Sequence, residues 1–322
     1  MQRSILQVIF AAIMVLTDGV LKEFGSHVQR GSMDNNKVLL TILNSMAGGT
    51  VEESFDQHLA WNLQTLDLKD ALYGKTVEQI TIPEADQILQ AAESRGLSIN
   101  TLSSGLFYGD IEQGEVAFRE TYFPKLNTLL NNARILQPSQ VRLLMATSSK
   151  REGILNSIVY LEARHPWVFG VYQEAVEKIH SAGFHTVLEN EVHNCLFART
   201  DEIAGFFELL DCGDALSLTW DVQNLWQMGT FPSLSVYKVL RPYLGMIHVK
   251  GGRTDVAGGA LKWRSGLEEA SWPVIDIVTE VVADGKSPVI CLNSSHGEST
   301  PEYTPDYEGD LKFLRRNVKQ IA

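Results

Sequence analysis

Four stretches in the second half of the chain share one form: an apolar run of strand length that stops abruptly at a carboxylate, an imidazole or an amide. Phe184–Asn194 reads FHTVLENEVHN and stops at Glu189. Leu216–Asn224, LSLTWDVQN, stops at Asp221; Gly245–Lys250, GMIHVK, at His248; and Pro288–His296, PVICLNSSH, at Asn293. Strands buried on both faces read as continuous apolar runs, and in a parallel α/β barrel their carboxyl ends carry the chemistry. Glu, Asp and His brought by successive strands to one rim form a set of O and N donors for a metal ion.

The remainder of the chain extends this alternation. Strand-like runs at Lys37–Leu43, Leu59–Leu68, Leu97–Leu102 and Val141–Ala146 precede the four above. Helical stretches lie between them: about Val51–His58, Ile82–Arg95 with Pro83 in its first turn and Gly96 as its stop, Glu115–Leu136, Trp167–Ala182 ended by Gly183, Glu202–Leu210 capped by Asp201, Ser233–Tyr243, Trp272–Asp284 and Gly309–Val318. Eight strand–helix pairs over about 290 residues predict an α/β fold, a (β/α)8 TIM barrel spanning residues 33–322. The stretch Gly251–Leu267 is long for a barrel loop and reads as an insertion over the rim.

Residues 1–32 differ in character from the rest of the chain. Ile5–Leu16 is apolar apart from Gln7, but no A-x-A-like cleavage site comes after it, and FGSHVQRGSM resembles a cloning-vector linker. They read as an N-terminal extension or tag outside the barrel. A net charge of −12 disfavours nucleic acid as a partner, and no run of 18 apolar residues points to a membrane span. Three cysteines without CxxC spacing argue against a disulfide framework and suit a reducing compartment, so a cytoplasmic location is expected. Cys291, inside a strand run, reads as a small buried hydrophobe.

LENE, WDxxN, HVK and LNSSHG, at the ends of the fifth to eighth strands, resemble the xylose-isomerase-like TIM barrels, a superfamily that includes sugar-phosphate isomerases and epimerases, ketose 3-epimerases, inosose dehydratase and endonuclease IV. The resemblance covers Lys37–Val318. It implies that Glu189, Asp221 and His248 are metal ligands, with Asn293 in the place of a fourth, glutamate ligand. Asn224 stands where a substrate-contacting histidine is common, and Gly251 where an HxKD pattern has aspartate.

Two carboxylates and an imidazole suit Mn²⁺, Co²⁺ or Mg²⁺, and are compatible with Zn²⁺. The implied reaction is isomerisation or epimerisation of a small sugar or sugar phosphate, by proton abstraction α to a carbonyl through a metal-stabilised enediolate. Glu189 is then base or shared ligand, and Lys250 or His296 returns the proton. Asp67 at the end of the second strand, Tyr108 and Trp167 in rim loops, Asn224 and Arg253 are expected to face the substrate. Glu191 and His193 read as rim and loop residues. An inosose-dehydratase-like lyase starts from the same intermediate. A non-catalytic sugar-binding barrel with a degraded metal site would also carry Asn293, Asn224 and Gly251. An endonuclease IV role is disfavoured by the charge and by the absence of histidines at the ends of strands two and three. The expected partner is a small sugar-like molecule, with homo-oligomerisation left open.

Overall fold

Eight short parallel strands form one sheet in the order β1-β8-β7-β6-β5-β4-β3-β2 in a computed structural model that describes residues 37–322. They are β1 Leu39–Ile42, β2 Thr65–Leu68, β3 Ser98–Ser103, β4 Gln140–Leu144, β5 His185–Glu189, β6 Leu216–Asp221, β7 Leu244–Val249 and β8 Val289–Leu292. Between β1 and β2 the ladder is reduced to one bridge, Leu43 with Asp67, beside a hydrogen bond that Thr41 Oγ1 donates to the Thr65 carbonyl. The sheet is thus a nearly closed barrel. The expected extension at residues 1–32 lies outside the described residues.

Register decides which residues face the barrel axis, because laterally paired residues of parallel strands point the same way. Asp221 pairs with His248, His248 with Cys291, and Cys291 with Thr41. Leu144 pairs with Glu189, and Ser103 with Arg142. The interior is polar for a barrel core: Thr41, Asp67, Thr101, Arg142, Glu189, Thr219, Asp221 and His248 are all buried. Its apolar part is a small separate cluster of Leu43, Met246 and Cys291. The main core lies outside the sheet, where outward residues such as Leu66, Leu188, Trp220 and Ile290 meet the helices.

Helices follow most strands, and local chemistry sets their ends. At Ile82–Glu93, Thr81 N–H donates to Glu84 at 2.7 Å in a capping box, with Pro83 in the first turn as expected. The 22-residue helix Glu115–Leu136 has the bounds read from sequence. Three expectations are corrected. The second strand is only Thr65–Leu68, because Thr50 caps a helix that runs from Val51 to Ala60 and takes up Leu59 and Ala60. The cap of Thr200–Leu210 is Arg199, and Asp201 sits in the first turn, paired to that arginine at 3.0 Å. Ser157–Arg164 is an additional helix in what reads as loop, capped by Asn156, which accepts from Val159 N–H. Among the described residues no helix is long and apolar enough to cross a membrane.

Candidate functional site

The ends of β5, β6 and β7 bring Glu189, Asp221 and His248 together inside the barrel mouth. One ligand atom from each lies within 4.8 Å of the other two. His248 Nδ1 is 3.2 Å from Glu189 Oε1 and 3.8 Å from Asp221 Oδ2. Each acid also has a second engagement. Asp221 closes β6 and begins the helix Val222–Gln227, where its Oδ1 accepts from the N–H groups of Gln223 and Asn224. Capping and cluster membership therefore coexist in one carboxylate, through different oxygens. Asn190 fixes the junction: its amide donates to the Asp221 carbonyl and accepts from Asp221 N–H, both at 2.9 Å.

Two basic side chains hold these acids. Arg142 Nη1 donates to Glu189 Oε2, and Lys250 Nζ lies 2.7 Å from Asp221 Oδ2 while donating to Asn224 Oδ1. Burial would raise the Glu189 pKa, but Arg142 and His248 hold its carboxyl well below the usual carboxylate range. Asp221 is likewise lowered against the effect of burial, mainly by Lys250. Burial works against charge on His248, yet Glu189 and Asp221 push its imidazole up to about 9.

Whether a cation fits is answered by unmet acceptors. His248 Nε2 and both oxygens of Asp67 are buried without a hydrogen-bond partner, while Asp221 Oδ2 is engaged by Lys250 Nζ at 2.7 Å; native interiors leave few unpartnered atoms of this kind. With the spacing of Glu189 Oε1, Asp221 Oδ2 and His248 Nδ1, this donor set suits a divalent ion. Glu189, Asp221 and His248 would hold it. Asn293 differs: it is half-buried, and its Oδ1 accepts from Ser294 N–H at 2.9 Å, within its own turn.

Other expected residues scatter around this centre. Asp67 is fully buried, 3.9 Å from His248 Nε2, and burial raises its pKa. The polar atoms of Asn224 are occupied by Lys250, the Asn190 carbonyl and Glu191. His296 is half-buried beside the cluster, its N–H donating to Gln223 Oε1; burial first, then Lys250, holds its imidazole down at about 4. Tyr108 Oη donates to the Val192 carbonyl and so ties down the loop after β5. Trp167 is not brought to the cluster: it starts a helix and packs against Phe118 and His165. Arg253 stacks near Trp263 and lines a recess of about 520 Å³ with Arg264, Glu268, Tyr303 and Asp310.

Two residues of the centre escape a reading by strand ends. Arg142 is one charge inside the run VRLLMA, and that placement was its signal. Glu191 is half-buried, its Oε2 accepting from Val192 N–H and the Asn224 amide; burial first, and the Glu189 charge next, push its carboxyl up to about 7. Its signal was the LENE spacing, two residues beyond Glu189. Gly251, in the place of the family aspartate, has a steric cause, since a Cβ there would lie 1.9 Å from the Ser265 carbonyl oxygen of the folded-back insertion.

No protein-family model matches the chain, and no curated protein is similar to it in sequence. Solved structures are similar in fold. A xylose isomerase-like TIM barrel protein from Mycobacterium smegmatis, in complex with magnesium, is 15% identical with a TM-score of 0.62, covering 89% of this chain and 98% of its own. The 3-keto-D-glucoside 4-epimerase of E. coli is 12% identical with a TM-score of 0.63, covering 87% and 100%. An IolI protein with a bound zinc atom is 10% identical with a TM-score of 0.62, covering 87% and 96%. The strand order and these neighbours agree on the fold: the chain is a (β/α)8 TIM barrel, similar in fold to xylose isomerase-like TIM barrel proteins.

Proposed function

We propose that the protein is a divalent-metal-dependent isomerase or epimerase of a small sugar or sugar phosphate, working by proton abstraction α to a carbonyl. The observation that carries this reading is the Glu189–Asp221–His248 cluster, buried at the ends of three neighbouring strands with its ligand atoms within 4.8 Å of one another. Epimerases and metal-bearing proteins share the fold, although an endonuclease IV shares it too, so the fold alone does not choose the reaction. A bound cation supplies Lewis acidity at the substrate carbonyl. Of the chain's own groups, Glu189 is held on one oxygen by Arg142 and faces His248 with the other, which favours a ligand role over that of a free base. Lys250, whose Nζ lies 2.7 Å from Asp221 Oδ2, and His296, which feels the charges of both, are the groups to which this reading gives proton transfer on that side. Lys250 also fixes Asn224, and Gln223 holds the β7 and β8 loops through the Gly251 carbonyl and His296 N–H. An inosose-dehydratase-like lyase shares the first step and is separated by substrate trials.

One observation favours a second reading, a sugar-binding barrel without turnover. Arg142 and Lys250 already compensate both candidate carboxylate ligands, and Asn293 is turned into its own loop. Metal content by mass spectrometry, on the protein and on Glu189→Gln, tests both. Loss of about one Mn, Co, Mg or Zn per chain in the variant, together with solvent deuterium uptake into ketoses by the unaltered protein, supports the isomerase. Metal bound without deuterium exchange favours the binding protein. No metal even after adding Mn²⁺ or Co²⁺ removes the proposed mechanism.

A further inference from the structure

We propose a second cation position inside the barrel, across the His248 ring from the strand-end cluster, formed by Asp67, the Nε2 side of His248 and the Cys291 thiol, and suited to zinc or a similar borderline-soft divalent ion. It goes beyond the isomerase reading and uses donors that the reading leaves idle.

Three strands bring these residues together. Cys291 is the register partner of His248 across β7 and β8, and Asp67 points inward from β2 at the barrel seam. All three are fully buried, and one donor atom from each lies within 4.8 Å of the other two. Glu189 and Asp221 face Nδ1 of the ring. Asp67 faces the other edge, with Oδ2 3.9 Å from Nε2. One imidazole therefore presents its two nitrogens to two separate acid sets.

The atoms on the Nε2 side are also the least satisfied. His248 Nε2 and the Asp67 oxygens have no hydrogen bond of good geometry, and the Ser103 hydroxyl and the Cys291 thiol lie close enough to Asp67 to act on its carboxyl. A buried polar group without a good partner is costly, so several in one place point to a missing occupant. Oxygen, nitrogen and sulfur donors in one set exclude Mg²⁺ and Ca²⁺ and fit zinc, whose bonds of about 2.0–2.3 Å put tetrahedral ligands roughly 3.3–3.8 Å apart. Side-chain adjustments of about an ångström reach that geometry. On binding, the Cys291 thiol gives its proton to solvent and the thiolate bonds the ion. With the strand-end position empty, Zn²⁺ with one carboxylate, one thiolate and a neutral imidazole bound through Nε2 carries no net charge, as a water-poor interior requires. With both positions filled, His248 also gives its second ring proton to solvent and bridges the two ions as an imidazolate.

The test is a Co²⁺ titration of the full chain, followed by absorption spectroscopy. The expected result is a near-ultraviolet thiolate-to-cobalt charge-transfer band that is lost in Cys291→Ser and kept in Asp221→Asn, a change confined to the strand-end cluster. Asp67→Asn keeps the thiol and is expected to weaken Co²⁺ binding at this position by about tenfold or more. It answers the question even if the Cys291 variant does not fold. Absence of the band in the wild-type chain overturns the proposal, as does a band that survives in Cys291→Ser, which would assign it to Cys195 or Cys212. Loss of metal from the strand-end cluster with the band intact would count against the isomerase reading alone.

Discussion

Arg142 Nη1 donates to Glu189 Oε2 at 2.6 Å, and the two side chains are only 4% and 2% exposed. Nη2 and Nε of the same guanidinium donate to the carbonyls of Ser103 and Ser104, so the pair is enclosed by β3, β4 and β5. A buried pair of this kind adds little net stability, but breaking it leaves a charge uncompensated, at a cost of about 3–5 kcal/mol. Arg142→Met is therefore expected to lower the urea unfolding free energy by about that amount. Arg142→Met combined with Glu189→Met should recover most of the loss, since two apolar side chains of similar size then fill the space. A double variant as unstable as the single one would show that the pair is not the cause.

Gly251 takes no part in the cluster yet fixes what lies over it. A Cβ there would meet Ser265 O at 1.9 Å and Gly266 O at 2.7 Å, both backbone atoms that cannot swing aside. Gly251→Ala should cost about 1–3 kcal/mol as overpacking and should open the insertion, read as faster trypsin cleavage after Lys262 or Arg264. Unchanged stability together with an unchanged digestion pattern would contradict this packing.

The strand ends were legible because strands buried on both faces leave uninterrupted apolar runs, and the first polar residue after such a run marks the rim. That logic located Glu189, Asp221 and His248. It could not place Arg142 or Cys291, whose direction depends on register across strands rather than on any local signal. It overran β2, because Leu59 and Ala60 are apolar whether they end a helix or begin a strand. The helix Ser157–Arg164 buries only Ser157 and Leu161, too little periodicity to register. Asn293 carried the family position, but its contacts depend on a turn that the sequence does not spell out.

Glu202 anchors the loop after β5 from outside the barrel. Its oxygens accept from the N–H groups of Ser157, Ala198 and Arg199 and from Arg151, and it is fully buried. Glu202→Ala strands these donors and is expected to destabilise by on the order of 3 kcal/mol. Glu202→Gln keeps two acceptor lone pairs in place and should lose about half as much. Thermal unfolding of both variants checks the order; equal effects would mean that volume, not hydrogen bonding, sets the cost.

Asp310 makes stability depend on pH in a direction opposite to most carboxylates. It lies in the first turn of the helix Tyr307–Asn317 and accepts from Leu267 N–H at 2.6 Å, while burial pushes its carboxyl up to about 6. A carboxyl raised in the folded state binds its proton more tightly there than in the unfolded chain. Folding is then favoured below the unfolded value near 4, and its contribution falls as pH rises through about 6. The loss is on the order of 2 kcal/mol after allowance for partial exposure. Asp310→Asn keeps the acceptor for Leu267 and cannot ionise. It should match the wild-type chain at pH 4 and exceed its unfolding free energy at pH 7 and above by about that amount. Urea unfolding at the two pH values decides the matter: a variant less stable at pH 7 would mean that the charge at position 310 favours the helix terminus more than burial penalises it.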